Sequence, residues 1–210
     1  MRTKIRYFFT FVLSVLLCTS EYANAATFPV TNLNDVGAGS LRQAILDANV
    51  NPGADIIDAT GVTGTILLAT GQLTISDALT LTGPGANLLN VQNGVFATAD
   101  LGRVFFVGNV VANISGLTIS GGYVTGNGSP SLNYDGAGIY NSGQLTITNC
   151  TISNNAVIGC FSCGALGDGG GICNTGTLTV NNSVIKSNTA AYDAIGGTAH
   201  GGGIANKGGQ

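Results

Sequence analysis

Short alternating runs of apolar and polar residues recur along the second half of the chain. Leu145 and Ile147 are apolar, whereas Thr146 and Thr148 beside them are polar. A period of two is typical of a β-strand with one buried face. Gly, Asn and Ser bound each run after four or five positions, and these residue types favour turns. The pattern therefore predicts many short strands joined by tight turns.

These runs belong to an internal repeat with an offset of 32 to 33 residues. The matching segments are 138–147, 171–180 and 203–208, with partial copies at 114–120 and 79–83. No unit contains an amphipathic helical stretch, which excludes the helical solenoids. The repeat instead favours a parallel β-helix, in which each turn stacks on its neighbours.

Stacking of the turns predicts inward columns and projecting loops. The expected inward apolar residues are Ile139, Leu145, Ile147 and Ile152. Asn141, Asn174 and Asn206 recur at one position and predict an internal asparagine ladder. Thirty-three residues is long for a bare turn, so we expect loops at 156–168 and 190–200.

One short helix is predicted before the solenoid. Ser40 and Gln43 have the spacing of a capping box, in which each side chain bonds the backbone N–H of the other. The apolar residues that follow at helical spacing are Leu41, Ala44, Ile45 and Ala48. Arg42 is expected to make a structural ion pair or hydrogen bond with the polar loop 34–37. A helix here would cover the open end of the solenoid.

The sequence thus predicts an all-β fold, a right-handed parallel β-helix with a short N-terminal capping helix. We assign the cap to 26–62 and the repeats to 63–210.

Residues 1–25 have the features of a secretory signal peptide. Arg2, Lys4 and Arg6 precede an uncharged apolar run at 7–18, and small residues end the segment at Ala25. The run is too short for a transmembrane helix, which needs about 20 apolar residues. We therefore expect cleavage after Ala25 and an extracellular, cell-surface or outer-membrane location.

Composition excludes several partners. The chain has 33 Gly residues and only 8% charged residues, with no collagen period and too much apolar content for disorder. Without residues 1–25 it keeps four Lys and Arg against nine Asp and no Glu, a formal charge of −5. An acidic chain does not favour nucleic acid as a partner.

Four cysteines remain after the signal peptide, namely Cys150, Cys160, Cys163 and Cys173. An even number in an oxidising compartment predicts two disulfides of unspecified connectivity. Free thiols are one alternative. A metal or redox site is another, although there is only one close pair and no βαβ context.

Two stretches carry a resemblance to known families. The stretch from Phe28 to Asp55 resembles the CSLREA-type N-terminal signature of exported β-helix proteins, with Gly39 and Gln43 at the positions of its Cys and Glu. The Gly-Gly-Ile-x-Asn elements at 170–174 and 202–206 resemble repeats of polymorphic outer membrane proteins. The resemblance implies a surface passenger domain, often adhesin-like.

Such passenger domains usually carry a C-terminal anchor or barrel, which the resemblance implies for the full-length protein. The sequence ends where the next strand is due, so we expect it to be a fragment of a longer protein. A glycan or protein of a host or of the environment is the partner that the resemblance implies.

One pair of carboxylates is the candidate for catalytic chemistry. Asp135 and Asp168 stand 33 residues apart, so they are expected one turn apart on the same edge. Glycosidases need two carboxylates at a set separation. The same two residues are candidate Ca²⁺ ligands, whereas the plainer interpretation is two turn residues. His200 holds the corresponding position in the third copy and is expected to be a solvated loop residue.

We therefore predict a non-enzymatic binding or structural surface protein without a cofactor. The alternative is a polysaccharide-active β-helix enzyme, either pectate-lyase-like or a glycoside hydrolase. Convergence of Asp135 and Asp168 with Lys186 or Arg103 in one groove would favour the enzyme.

Overall fold

The structure is a computed structural model that describes residues 24–95, 102–126, 134–159, 167–192 and 199–208. The predicted signal peptide, apart from Asn24 and Ala25, lies outside these residues. Cys160 and Cys163 lie outside them as well.

The described residues contain nineteen short strands and one helix of eight residues. In chain order they are β1 (Thr27–Pro29), α1 (Leu41–Ala48), β2 (Asp55–Asp58), β3 (Gly64–Leu68), β4 (Leu73–Ile75), β5 (Leu79–Thr82), β6 (Leu89–Asn93), β7 (Phe105–Val107), β8 (Val111–Ser115) and β9 (Thr118–Ser120). They continue with β10 (Tyr123–Thr125), β11 (Ile139–Asn141), β12 (Gln144–Thr148), β13 (Thr151–Ser153), β14 (Ala156–Gly159), β15 (Ile172–Asn174), β16 (Thr177–Asn181), β17 (Val184–Lys186), β18 (Thr189–Tyr192) and β19 (Ile204–Asn206).

The strands form four parallel sheets that enclose a main core and a small second core. Sheet A has the order β1-β2-β5-β8-β12-β16 and sheet B the order β17-β13-β9-β6-β3. Sheet C has the order β19-β15-β11-β7-β4, and sheet D contains β10, β14 and β18. The chain passes through sheets C, A and B in turn and returns to C. This topology is a parallel β-solenoid of about five turns, as the sequence predicts.

Strand register confirms the repeat. Leu145 pairs with Leu178, 33 positions later, and Ile172 pairs with Ile204, 32 positions later. The partial copy of the repeat at 79–83 also lies in this register, because Leu81 pairs with Ile114. The first turns are shorter, since β2 and β5 pair at an offset of only 24 residues.

The additional residues of the later turns form sheet D. Residues 156–159 and 189–192 are strands, so the prediction that loops begin at 156 and 190 is wrong. Val124 and Val157 of this sheet pack with Tyr134 and Ala137 in a small second core. Along β14 the burial alternates, with Val157 buried and Ala156 and Ile158 half-buried, as in a strand with one inward face. The loop was predicted from the length of the turn alone.

The predicted inward residues form the main core. Ile139, Leu145, Ile147 and Ile152 are all at most 1% exposed. Each lies in a column, as in the run Leu81, Ile114 and Ile147 of sheet A. Alternate residues of a strand face opposite sides, so one face of sheets A, B and C supplies this core.

Tight corners between the sheets need a left-handed backbone. The corner from sheet A to sheet B has Gly116, Asn149 and Asn182 at φ of 67°, 54° and 44°. The corner after sheet B has Gly121, Asn154 and Ser187 at 70°, 56° and 53°. Glycine and asparagine adopt this conformation at the least steric cost, which explains their recurrence in the repeat.

The predicted asparagine ladder is present inside the turns. Asn141 Nδ2 donates to Asn174 Oδ1 at 2.6 Å, and Asn174 Nδ2 donates to Asn206 Oδ1 at 2.9 Å. Asn174 also donates to the Gly176 carbonyl at 3.0 Å. A second rung of this kind, which the sequence analysis did not predict, joins Asn155 Nδ2 to the side chain of Asn188 at 3.0 Å.

Helix α1 covers the first turn with its apolar face. Leu41, Ala44, Ile45 and Ala48 are buried, as predicted. Ser40 Oγ accepts the Gln43 N–H at 3.2 Å, which confirms the N-cap. The other half of the predicted capping box, a bond from the Ser40 N–H to the Gln43 side chain, is wrong. The Ser40 N–H donates to the Gly37 carbonyl, and the Gln43 side-chain amide donates to the Asp47 carboxylate.

Arg42 ties this helix to the first turn. Its guanidinium lies 2.8 Å from Asp35 Oδ1 and donates to the carbonyls of Gly71 and Gln72 at 2.6 and 2.7 Å. Burial alone would raise the pKa of Asp35, but hydrogen bonds from the Ala69 backbone, Arg42 and Thr70 outweigh it and lower that pKa. The predicted structural role of Arg42 is confirmed. Sheet A itself begins with β1 and β2, within the segment 26–62 assigned to the cap.

We expect Asn174→Ala to lower the free energy of unfolding by about 1–3 kcal/mol, because the buried Asn141 amide loses an acceptor and the Asn206 side chain loses a donor. Urea unfolding at neutral pH measures this. Thr179→Ala on the exposed face of β16 is the control and should change stability by less than about 0.5 kcal/mol. Equal shifts for the two variants would contradict a stabilising ladder.

Candidate functional site

Three equivalent turns lead into sheet C and carry the charged residues of the site. Asp135, Asp168 and His200 each stand four residues before a strand of this sheet. The glycines that follow them, Gly136, Gly169 and Gly201, have φ of 67°, 70° and 61°. A Cβ on any of these glycines would overlap a backbone carbonyl oxygen of the following strand, so the turn requires glycine.

Side chains in this column bond the next turn. Asp135 Oδ1 accepts the Asp168 backbone N–H at 2.9 Å, and Asp168 Oδ1 accepts the His200 backbone N–H at 2.9 Å. Asp168 Oδ1 also lies 3.1 Å from His200 Nδ1. Asp135 is 9% and Asp168 is 3% exposed. The structure thus stacks the two aspartates as the repeat predicts.

Lys207 joins the two carboxylates. Its Nζ lies 3.0 Å from Asp135 Oδ2 and 2.9 Å from Asp168 Oδ2. The two Oδ2 atoms are therefore within about 6 Å of each other, with the ammonium between them. Lys207 is the residue that sequence reasoning missed. The available signal was a charged residue at the position that Ser142 and Thr175 hold in the earlier copies.

Arg103 extends the column toward the first turns. Its side chain is buried and donates to the carbonyls of Asp135 at 2.7 Å and Gly136 at 3.0 Å. It also donates to Gln72 Oε1 at 2.7 Å. Its guanidinium carbon lies 5.3 Å from the centroid of the Tyr140 ring, within the range of a cation–π contact.

The electrostatics of the cluster favour permanent charges. Burial would raise the pKa of Asp168, but Lys207 and His200 outweigh it and lower that pKa. Burial would lower the pKa of Lys207, but hydrogen bonds and charge from Asp168 and Asp135 raise it above its usual value. A general acid needs a raised carboxyl pKa, and a lysine base needs a lowered one. These two groups are shifted in the opposite directions.

A solvent-open groove of about 550 Å³ adjoins the cluster. Its lining includes Asp168, His200 and Lys207, together with Ile204, Ala205 and Asn206. The side chain of His200 is 64% exposed, as expected for a solvated loop residue. The groove therefore presents a charged side and an apolar base.

The convergence that would favour an enzyme is present in part. Asp168 lines the groove and Asp135 stacks on it, whereas Arg103 is buried and bonds the backbone of Asp135. Lys186 does not take part, since it lies exposed on β17 in sheet B.

A Ca²⁺ site at Asp135 and Asp168 would need more ligands than this cluster supplies. Ca²⁺ takes six to eight oxygen ligands. The Lys207 ammonium lies between the two carboxylates, at the place where a shared cation would bind. In the described ranges, no group of three or more His, Cys, Asp or Glu side chains is arranged to hold a metal ion.

The disulfide prediction is wrong for Cys150 and Cys173, which are both buried free thiols. Cys150 lies at the corner after sheet A, whereas Cys173 lies on β15 in sheet C. Burial, reinforced by the nearby charge of Asp135, raises the pKa of Cys173 to about 12. Cys160 and Cys163 lie outside the described residues.

Comparison with known proteins supports no assignment beyond the fold class. No family model, curated protein or solved structure matches the chain. The resemblance to CSLREA-type and polymorphic outer membrane proteins therefore depends on the quoted residues alone. Within the part of the chain that the structure describes, no helix has the length and apolar character needed to cross a membrane.

We expect the cluster to stabilise the fold only between acidic and alkaline limits. The lowered pKa of Asp168 gives stability that is present above its unfolded pKa of about 3.9 and is lost as the pH falls below it. The raised pKa of Lys207 gives stability that is present below its unfolded pKa of about 10.4 and is lost as the pH rises beyond it. Urea midpoints measured from below the acidic limit to above the alkaline limit test both losses.

Lys207→Met should lower stability at neutral pH by about 1 kcal/mol, a figure discounted because the lysine side chain is 37% exposed. It should also reduce the alkaline loss, whose remainder comes from the raised pKa values of the buried Cys150 and Cys173 thiols. Lys186→Met is the matched control and should leave both the midpoint and the alkaline loss unchanged. An alkaline loss in Lys207→Met as large as in the wild type would contradict the stabilising role of Lys207.

Proposed function

We propose that this chain is an exported, non-enzymatic β-helix domain of the surface passenger or adhesin-like kind. The observation that carries this proposal is the compensated charge cluster at sheet C. The Lys207 ammonium is shared by Asp135 and Asp168 and offsets part of their charge, and the pKa shifts of Asp168 and Lys207 are opposite to those of a general acid and a lysine base in catalysis.

Export is supported by the N-terminal sequence. The basic residues, apolar run and small residues of 1–25 form the three parts of a signal peptide. The acidic charge of the rest of the chain agrees with a partner other than nucleic acid.

The outer face of sheet A supports binding of a neutral glycan. Its outward columns carry mostly hydroxyl and amide side chains in a regular array. They include Thr80, Asn113, Thr146 and Thr179 in one column and Thr82, Ser115, Thr148 and Asn181 in the next. These eight side chains are uncharged, and such groups exchange hydrogen bonds with sugar hydroxyls without displacing counter-ions. The rigid sheet fixes their spacing.

A polysaccharide-active enzyme is the second candidate, and a specific observation favours it. Asp135 and Asp168 lie side by side next to a groove, with Arg103 beneath them. Retaining glycosidases hold their two carboxyl groups about 5–5.5 Å apart, which these residues approach. The Lys207 ammonium between them argues against this alternative, and the lowered pKa of Asp168 argues against that residue as the general acid.

A glycan array and a polysaccharide depolymerisation assay on the full chain, with and without Ca²⁺, distinguish the two. We expect saturable binding without product release, and we expect Asp168→Asn to leave binding unchanged. Binding should weaken several-fold in a variant with Thr146→Lys and Thr179→Lys, because the added charges break up the array.

Product release that Asp168→Asn abolishes would establish the enzyme instead. Circular dichroism and urea midpoints of each variant show whether a loss of binding or release follows from unfolding. Absence of both binding and release would contradict the binding proposal and leave a purely structural surface protein.

A further inference from the structure

We propose that Asp55 is a built-in counter-ion for the α-amino group that cleavage after Ala25 creates on Ala26. Processing would then complete the hydrogen bonding of the first turn and stabilise it. This inference depends on the proposed export and processing of the chain, and it concerns residues that take no part in the site at sheet C.

The carboxylate of Asp55 is buried and half satisfied. Asp55 is 1% exposed and opens strand β2. Its Oδ1 accepts the backbone N–H of Ala26 at 2.8 Å and the side-chain amide of Asn51 at 2.8 Å. Its Oδ2 is buried without a hydrogen-bond partner. A buried carboxylate oxygen without a donor destabilises a fold, so this atom indicates a missing donor.

The missing donor is one that hydrolysis of the Ala25–Ala26 bond supplies. Water adds its hydroxyl to the Ala25 carbonyl carbon and a proton to the Ala26 nitrogen. The resulting amine has an ordinary pKa of about 7.7–8.0, so it takes up a further proton near neutral pH. A single amide N–H thus becomes an ammonium with three N–H donors and a positive charge, which can serve both oxygens of Asp55.

Strand pairing holds the new terminus in place. The Ala26 carbonyl accepts the Ile56 N–H at 2.8 Å, and Thr27 pairs with Ile56 as β1 joins β2. The Asp55 N–H donates to the Ala78 carbonyl at 3.0 Å, so the carboxylate is also anchored. Ala25 is exposed and Ala26 is half-buried. The predicted cleavage point therefore falls where the chain enters the fold.

Asn51 supports the same assignment. Its side-chain amide donates to Asp55 Oδ1 at 2.8 Å and also to the Asn24 carbonyl at 3.0 Å. Removal of residues 1–25 takes away the Asn24 carbonyl. The Asn51 amide is then left to the Asp55 carboxylate and no longer divided between two acceptors.

The test compares cut and uncut forms of one chain. Residues 22–25 of the full chain are replaced by a protease recognition sequence that is cut directly before Ala26, which frees the native α-amino group without cellular processing. We expect cutting to raise the equilibrium constant for folding about tenfold, the scale of a charge-assisted hydrogen bond, as measured by urea unfolding. The unaltered full chain is a second uncut reference.

Two variants make the comparison specific. Asp55→Asn should abolish the gain on cutting, because the neutral amide offers no charge to the ammonium. Asp58→Asn is the matched control on the same strand, where the carboxylate accepts from Thr60, and it should keep the gain in full. Acetylation of the freed α-amino group of the cut wild-type chain should also remove the gain.

Equal stability of the cut and uncut forms, or a gain that persists in Asp55→Asn, would overturn the inference. Export is decided separately by the N-terminal sequence of the unaltered chain after expression in a bacterium with a signal peptidase. A chain that keeps residues 1–25 would contradict export and processing, whereas the cut-versus-uncut comparison would still decide the role of Asp55.

Discussion

Every strand of this protein finds its backbone partners in another turn, and this constraint governs the rest of the structure. A parallel solenoid has no hydrogen-bonded hairpins, so a single turn satisfies almost none of its own strand N–H and C=O groups. Register between turns must hold at every corner, because a slip of one residue would move inward side chains outward. The left-handed Gly and Asn corners, the asparagine ladder and the apolar columns all hold neighbouring turns in register.

Much of the solenoid could be predicted from the sequence, because the residues of one column recur along the chain at a nearly constant offset. The inward positions of Leu145 and Ile147, the ladder at Asn141 and the structural role of Arg42 follow from local patterns. Sheet D was missed because turn length alone does not tell a fourth strand from a loop. The capping box at Gln43 failed because Gly37 already accepts the Ser40 N–H.

The candidate site was predictable only to the extent that it repeats. Asp135 and Asp168 share a repeat position, so their stacking could be foreseen. Lys207 contacts Asp135 across 72 residues, through the reach of a long side chain that no repeat position specifies. The free thiols show the same limit, because spacing along the chain says nothing about whether Cys150 and Cys173 lie on facing surfaces. Several of the few charged side chains among the described residues bond from one turn to another, namely Asp35, Arg42, Arg103, Asp135, Asp168 and Lys207.

Helix α1 gives the solenoid a direction of assembly. Its apolar face closes one end of the core against the first strands, so the first turn is the one with a finished surface behind it. The strands of each later turn can then pair with a sheet edge that is already ordered and serves as their template. A chain that emerges from a ribosome or a membrane pore with its N-terminus first would deliver the turns in that same order. Folding could therefore keep pace with emergence, because each turn after the first pairs with strands that precede it in the chain.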